Sequence, residues 1–538
     1  MNTMKSAKVN WYVLAILVIA FGSSLLAVPP HPDLMDRVAA AKVIKPYYME
    51  HSNEIHKKGV CQPEHFFKPG VTFRNDQLAS PAAAPFRVLA ILVKFSDHDS
   101  SVSANFFDSL VFGANGTTVR NYYSEISYAQ LDMITVNMPS SLGWRTAPQT
   151  YDYYVNDSNG FGSYPQNSQK LVEDMVDQID GLVNFSQYDN DGNGFVDCLL
   201  LIHSGTGAEF SGSSSDFWSH KWSITPRQKD GVFISSFTVQ PEFWIAPGDM
   251  TIGVYAHELG HGFGLPDLYD TDQGSYGIGK WCIMSYGSWN GPYPGGGSPA
   301  HPCAWSRIEM GFATATNITS NQSDVDILDV EQNSTIYRLW TSGNMGNEYF
   351  LVENRQRTGY DTFLPQSGLL IWHIDDAKAG NTQEWWPGQP NANHYKVALE
   401  QADGSFELEH RIDQGDGFDV FPGLGNNTSF DAVSSPNSDA YTLGTSFVGV
   451  QNISALGNVI NADLIVGFSA GIGDETELPN TFELAQNYPN PFNPYTTISF
   501  SLPVNSQVGL EIYNLKGELT ASLVNQRLSA GNHSYVWD

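Results

Sequence analysis

His257-Glu258-Leu259-Gly260-His261 sets two histidines four residues apart. On a helix, positions i and i+4 share a face, so both imidazoles can point at one ion. Zinc accepts such nitrogens together with carboxylate oxygens, and a catalytic zinc keeps one position for water. Glu258, beside the first histidine, is placed to take a proton from a zinc-bound water, whose pKa the ion lowers towards neutrality. The run continues through Gly262, Phe263, Gly264, Leu265 and Pro266 to Asp267. Gly264 can end the helix in a left-handed turn, and Pro266 prevents its continuation. The chain can then turn back and present Asp267 as a third ligand. Further on, Cys282-Ile-Met284-Ser-Tyr286 offers Met284 as an apolar floor and Tyr286 as a donor to an oxyanion. The plainer readings are an ordinary surface helix for the histidines and core packing for Met284 and Tyr286.

A second constellation is Asp189-x-Asp191-x-Asn193-Gly194-x-x-Asp197. Calcium favours six to eight oxygens from such a loop. An EF-hand needs an acid at the twelfth position, here Leu200, so any calcium must find further ligands elsewhere. An Asx-rich turn before a strand is the other reading. His203, Glu209 and His220 read as structural hydrogen-bonding groups beside the cleft. Asp270 and Asp272 read either as acceptors that orient a ligand histidine or as a solvated acidic turn. Cys282 and Cys303 can pair in an exported protein, and Cys198 sits in an apolar run as an inert thiol. Cys61 has three readings: a surface thiol, a partner for Cys198, or a ligand that displaces the zinc water and keeps the site silent.

These groups need elements to hold them. Phe86–Phe95 and Val196–His203 are apolar runs that predict buried strands. Lys170–Gly181 carries Leu171, Val172, Met175, Val176 and Ile179 at helical spacing, and Thr251–Leu265 is the metal-bearing helix. From about 325 to 470 short alternating segments such as Glu348–Glu353 and Gly368–His373 predict a β-rich region. Thr497–Leu502 alternates as well, and the last 60 or so residues read as a small sandwich. Lys5 and Lys8 precede the apolar run Trp11–Phe21, which predicts an export signal cut near Ala27; a retained anchor is the alternative. No later stretch is apolar enough to span a membrane. The formal charge of −30 argues against nucleic acid or anionic lipid as the main partner. Four cysteines are too few for a disulfide scaffold.

With those residues in place, the chain resembles the immune-inhibitor-A family of secreted bacterial metallopeptidases. Asn121–Ser127, Tyr188–Asp197, Trp218–Trp222, the zinc run through Asp270, Glu348–Arg355, Gly368–Asp375 and Val397–Asp403 carry the resemblance, over about 86–465. Asp267 stands where the metzincin pattern has a third histidine. The resemblance implies a zinc endopeptidase of protein or peptide substrates, with His257, His261 and Asp267 as ligands and Glu258 as base. It also supports a structural calcium at Asp189–Asp197. The fold expected is α+β: a metzincin-like catalytic domain, a β-rich domain and a small Ig-like sandwich. The divisions expected are a signal peptide at 1–27, a propeptide or extension at 28–85, the catalytic domain at 86–322, a β-rich domain at 323–470, a linker at 471–480 and a final domain at 481–538. Phe482–Pro503, with its Asn-Pro repeats, resembles the start of C-terminal sorting domains read by the type IX secretion machinery of the Bacteroidetes and related phyla. Such domains finish with further strands, so the end at Asp538 reads as truncated. Together these features imply an extracellular or cell-surface location. Two other classes compete: an adhesin stacking sugars on Trp372, Trp385 and Trp386, and a calcium-dependent scaffold. Cleavage preference, maturation site and oligomeric state are not legible in the sequence.

Overall fold

The computed structural model describes residues 27–61, 85–441, 444–467, 481–487, 496–514, 516, 518–528 and 531–537. The export signal before Ala27, the linkers at 80–84 and 471–480, and the Pro/Asn-braced run at 488–495 lie outside the described residues. Two compact units divide the chain: the first runs to Ser438 and includes Phe447–Val466, the second is Asp439–Ser446 with 467–538.

The first unit begins with helices α1 (Pro32–Ala39) and α2 (Tyr47–Lys57). Its central sheet is built from β1 (Leu89–Lys94), β2 (Arg145–Thr146), β3 (Leu199–Thr206), β4 (His220–Lys229) and β5 (Val232–Phe243), in the order β2-β1-β3-β5-β4. The first four in that order run parallel, and β4 lies antiparallel on the edge. β1 is apolar from Leu89 to Val93 and β3 from Leu199 to Ile202, and these stretches are buried on both faces, as an interior parallel strand requires. Helix α3 (Val119–Ile126) packs beside Asp132–Ile134, and helix α4 (Ser168–Ile179) lies against β4, burying the five apolar residues that its spacing predicts. The expected single strand Phe86–Phe95 is divided at Val88. Pro85–Arg87 pairs with Asp132–Ile134, whereas Leu89 onwards pairs with β3. The amides of Val88 and Leu89 donate to Ile134 O and Cys198 O respectively, so the chain changes neighbours within one residue. Helix α5 (Gly253–Gly262) is buried all round.

The β-rich part forms a second five-stranded sheet. It uses β6 (Thr314–Asn317), then β8 (Thr335–Leu339), β9 (Glu348–Arg355), β10 (Gly368–Asp375) and β11 (Val397–Leu399), in the order β11-β10-β9-β8-β6. β7 (Gln322–Leu328) joins a three-stranded sheet with β12 (Gly449–Gln451) and β13 (Val459–Ile465). The pairing of β6 with β8 crosses the division expected at residue 322, so one compact unit holds both parts. Within the second unit, Glu483–Leu484, β14 (Thr496–Leu502) and β17 (Gly531–Trp537) form an antiparallel sheet, and β15 (Ser506–Tyr513) pairs with β16 (Leu519–Leu528). β14 alternates buried and half-buried residues, as its sequence predicts. No helix among the described residues is long and apolar enough to cross a membrane.

Candidate metal centre

Helix α5 is tied to its surroundings by two tyrosines. Tyr255 donates to Pro241 O of β5 at 2.8 Å, and Tyr123 of α3 donates to Ala256 O at 2.7 Å. Gly260 allows close packing of the helix, because a Cβ there would lie 2.6 Å from Met284 Sδ. The helix ends as the sequence predicts. Gly264 has φ +89°, its amide donates to His261 O at 3.2 Å, and Leu265 N donates to Gly260 O at 3.2 Å. These are the two bonds of a Schellman turn, and they reverse the chain towards Asp267.

The reversal brings three ligand atoms together. Asp267 Oδ1 lies 3.0 Å from His257 Nε2 and 3.5 Å from His261 Nε2, with all three side chains fully buried. The other ring nitrogens face carbonyls: His257 Nδ1 contacts Ile283 O at 2.8 Å and His261 Nδ1 contacts Leu265 O at 2.9 Å. A carbonyl only accepts, so Nδ1 carries the proton and each Nε2 presents a lone pair. Burial lowers the pKa of both rings, which keeps them neutral. Two lone pairs and a carboxylate oxygen then converge in a dry site, an arrangement a cation satisfies. Two neutral imidazoles with one carboxylate form a donor set suited to zinc, so the residues present fit that ion. The orienting acceptors are backbone carbonyls. Asp270 and Asp272 do not orient a ligand histidine; Asp270 accepts from Asp272 N and Ser275 N and closes its own loop.

Glu258 is fully buried on the same helix. Burial, against the pull of His257 and with the push of Asp267, raises its carboxyl to about 8. Its two oxygens meet the N-terminal segment. Val28 N donates to Oε1 at 3.1 Å, and Cys61 Sγ lies 3.9 Å from Oε2. Cys61 is neither a surface thiol nor bonded to Cys198; both are free and buried. Its thiol, Glu258 and His261 form a second group of ligand atoms within 4.8 Å of one another. The amide of Cys61 donates to Lys221 O at 2.7 Å, on edge strand β4, and Trp222 Nε1 donates to Lys58 O at 3.0 Å. Trp218 Nε1 and Trp289 Nε1 hold Val28 O and Pro29 O at 3.0 and 2.9 Å.

Met284 packs under the helix at Gly260, and its carbonyl accepts from Leu268 N at 2.8 Å. Tyr286 is buried, its ring edge-on to Tyr276 at 5.3 Å and 6.2 Å from the Tyr269 ring. Burial raises its phenol well above the ordinary value. Sequence reasoning missed Tyr269. Its hydroxyl donates to Ala27 O, and burial followed by the Asp267 charge pushes its phenol well up. Its place two residues after Asp267 was the available signal.

The carboxylates of Asp189, Asp191 and Asp197 also gather within 4.8 Å. They double as turn caps: Asn193 N donates to Asp189 Oδ1 and Asp191 Oδ1 at 3.0 and 2.9 Å, and Gly194 N to Asp189 Oδ2 at 3.0 Å. Asn193 Oδ1 accepts from Phe195 N at 2.8 Å. Burial lifts the Asp197 carboxyl to about 7. His220 bridges Ser168 Oγ and Trp218 O, and Glu209 accepts from Ser219, as structural groups do. Cys282 and Cys303 are adjacent free thiols, with Cys303 N donating to Cys282 Sγ at 3.3 Å, and are not bonded. Trp372 is fully buried with Nε1 on Glu353, which removes it as a sugar platform.

Residues 86–313 match the family model described as Immune inhibitor A peptidase M6, catalytic domain. That stretch holds the whole His257–Asp267 run. The chain is 32% identical over 251 residues to Immune inhibitor A of Bacillus thuringiensis subsp. alesti, covering 41% of this chain and 35% of that protein. It is 30% identical over 223 residues to pre-pro-metalloprotease PrtV of Vibrio cholerae serotype O1, strain M66-2, covering 36% of this chain and 24% of that one. The matches therefore span only 35% and 24% of these relatives' length. Fold, site and match together place residues 86–313 in the class of metallopeptidase catalytic domains.

Proposed function

We propose that the protein is an extracellular zinc endopeptidase. The convergence of His257 Nε2, His261 Nε2 and Asp267 Oδ1 beside Glu258 carries this reading. Zinc bound there supplies a Lewis acid and a water of lowered pKa. The chain's own residues do the rest. Ile283 O and Leu265 O fix the ring tautomers. Glu258, buried beside the ligand residues, accepts a proton from the attacking water and returns it to the leaving amine. Tyr286 is assigned as the oxyanion donor, and Tyr269 is the alternative nearer Asp267. Edge strand β4 offers an outer edge along which an extended peptide can pair, as Cys61 does at Lys221 O. The segment 28–61, lying on Glu258 and on β4, acts as a propeptide that keeps the enzyme latent. The catalytic part is metzincin-like. The Asp189–Asp197 loop takes a structural calcium. The final strands form an Ig-like sandwich that the type IX machinery reads.

The test is casein hydrolysis by protein lacking residues 1–27, beside Glu258→Ala, with bound zinc quantified in both. Hydrolysis should fall by about 10²–10⁴-fold in the variant while zinc stays bound. Silence in both with zinc present leads to the same assay after removal of 28–84, where activity should appear. A wild type that binds no zinc overturns the reading.

A further inference from the structure

The loop after β11 concentrates negative charge. Between Asp403 and Asp419 lie six acids, namely Asp403, Glu407, Glu409, Asp413, Asp416 and Asp419, against one arginine, Arg411. Oxygens of Asp403, Glu407 and Asp419 come within 4.8 Å of one another. Asp419 is 1% exposed, yet only one of its oxygens is used. Its Oδ2 accepts from Trp281 Nε1 at 3.1 Å and from Asp416 N at 2.9 Å, while its Oδ1 is buried without a hydrogen-bond partner. Glu407 Oε2 is buried and unpartnered too. Arg411 does not neutralise them: it donates to Gln273 O at 2.9 Å and lies over the Tyr276 ring. Leaving buried carboxylate oxygens bare costs several kcal/mol or forces their protonation. Burial, then the neighbouring Asp416 and Asp413, lift the Asp419 carboxyl to about 8.

We propose that Asp403, Glu407 and Asp419 hold a calcium ion, separate from the zinc centre and from the Asp189–Asp197 loop. The donor set is all oxygen, with no imidazole or thiolate, which selects a hard cation over zinc. Ligands at about 2.4 Å from calcium lie at most about 4.8 Å apart, and the three oxygens lie within that distance of one another. An irregular loop with several carboxylates suits calcium better than magnesium, which keeps its waters and demands octahedral geometry. Asp413 and Asp416 cap turns at Gly415 and Phe418 and add negative potential.

The ion's position gives it a task. The loop grips the segment ahead of Met284 three times: Tyr276 N donates to Leu408 O at 3.0 Å, Lys280 N to Gln414 O at 2.8 Å, and Trp281 Nε1 to Asp419. Two residues beyond Trp281, Ile283 O orients His257. Calcium in this loop therefore holds the wall that sets a ligand ring.

Terbium(III) luminescence excited through tryptophan tests the site, since Trp281 touches it. The zinc-loaded full chain, freed of calcium, is titrated with terbium and then with calcium alone. The wild type should show sensitised emission that calcium displaces at or below about 1 mM. Asp403→Asn and Glu407→Gln, both at half-buried positions, should each weaken calcium at least ~10-fold, and Asp419→Asn should do likewise. Asp189→Asn with Asp191→Asn should leave this Trp-sensitised component in place. Two results overturn the proposal: no calcium binding in the wild type, or unchanged calcium affinity and stoichiometry in the singly substituted variants that keep a native circular dichroism spectrum. Displacement by magnesium as effective as by calcium overturns the choice of ion.

Discussion

Tyr286 and Tyr269 compete for one role, and phenylalanine at each position separates them. Loss of an oxyanion donor removes an interaction made only in the transition state, so kcat falls by about 10²-fold while KM and zinc content hold. That outcome is expected for Tyr286→Phe. The same signature in Tyr269→Phe, with Tyr286→Phe near wild type, would transfer the role. The comparison shows what residue patterns can reveal. His257, Glu258 and His261 are legible because their relation is local: one helical turn sets it. Asp267 is legible through Gly264 and Pro266, which dictate how the chain leaves the helix. Cys61 is legible only as one of three readings, because its place beside Glu258 depends on the path of a segment nearly 200 residues away in sequence. Asp403, Glu407 and Asp419 escaped for a similar reason: no regular period links them, and an irregular loop brings their oxygens together.

Among the elements, β9 connects the β-rich sheet to the catalytic wall through buried charges. Arg355 donates to both oxygens of Asp361 at 2.6 and 2.7 Å, to Trp281 O at 3.3 Å and to His301 O at 3.4 Å. Glu353 of the same strand takes Arg307 and Trp372 Nε1. Burial alone would raise the Asp361 carboxyl, but the Arg355 guanidinium overrides it and holds the carboxyl below its ordinary value. Asp361→Asn leaves a buried cation half-paired and should cost about 3–5 kcal/mol, read as a lower denaturation midpoint of the first unit. On the neighbouring strand, His373 lies between Glu348 and Glu400 at 3.1 and 3.0 Å. Burial opposes its charge, yet these two carboxylates more than offset burial and raise its pKa above 6.5. Its stabilising contribution is then complete below pH 6.5 and lost as pH rises through the raised value. Denaturation midpoints across that window should decline in the wild type and flatten in His373→Gln. The apolar run Phe86–Phe95 marks the boundary of element prediction. Its composition reveals a buried strand but not that Val88 switches partners, because periodicity carries no information about neighbours.

At the scale of the whole molecule, the segment 28–61 and the metal centre share one cleft. Val28 N, Cys61 Sγ and the backbone of Cys61 meet Glu258 and Lys221, the groups that the proposed function gives to the attacking water and a substrate. Ala27, Val28, Leu34, Tyr48, Ile55, Val60 and Cys61 are almost completely buried, so cutting the chain does not by itself release the segment. Much of its hold is apolar and independent of the thiol. Burial, then the Glu258 and Asp267 charges, raise the Cys61 thiol well above its usual pKa, so beside Glu258 it stays protonated unless a cation draws off the proton. The thiol and the anchor therefore contribute separately, and two changes dissect them. Cys61→Ala should raise casein hydrolysis by the uncut chain by about tenfold, through loss of one metal-directed group. Digestion within residues 62–84 followed by dissociation of 28–61 in mild denaturant should raise it by about 10²-fold or more, by opening the cleft entirely. If Cys61→Ala leaves uncut activity unchanged while removal of 28–61 restores it, latency rests on occupation of β4 and Glu258 by backbone alone. If neither change raises activity in zinc-loaded protein, the segment is a structural part of the cleft and not its brake.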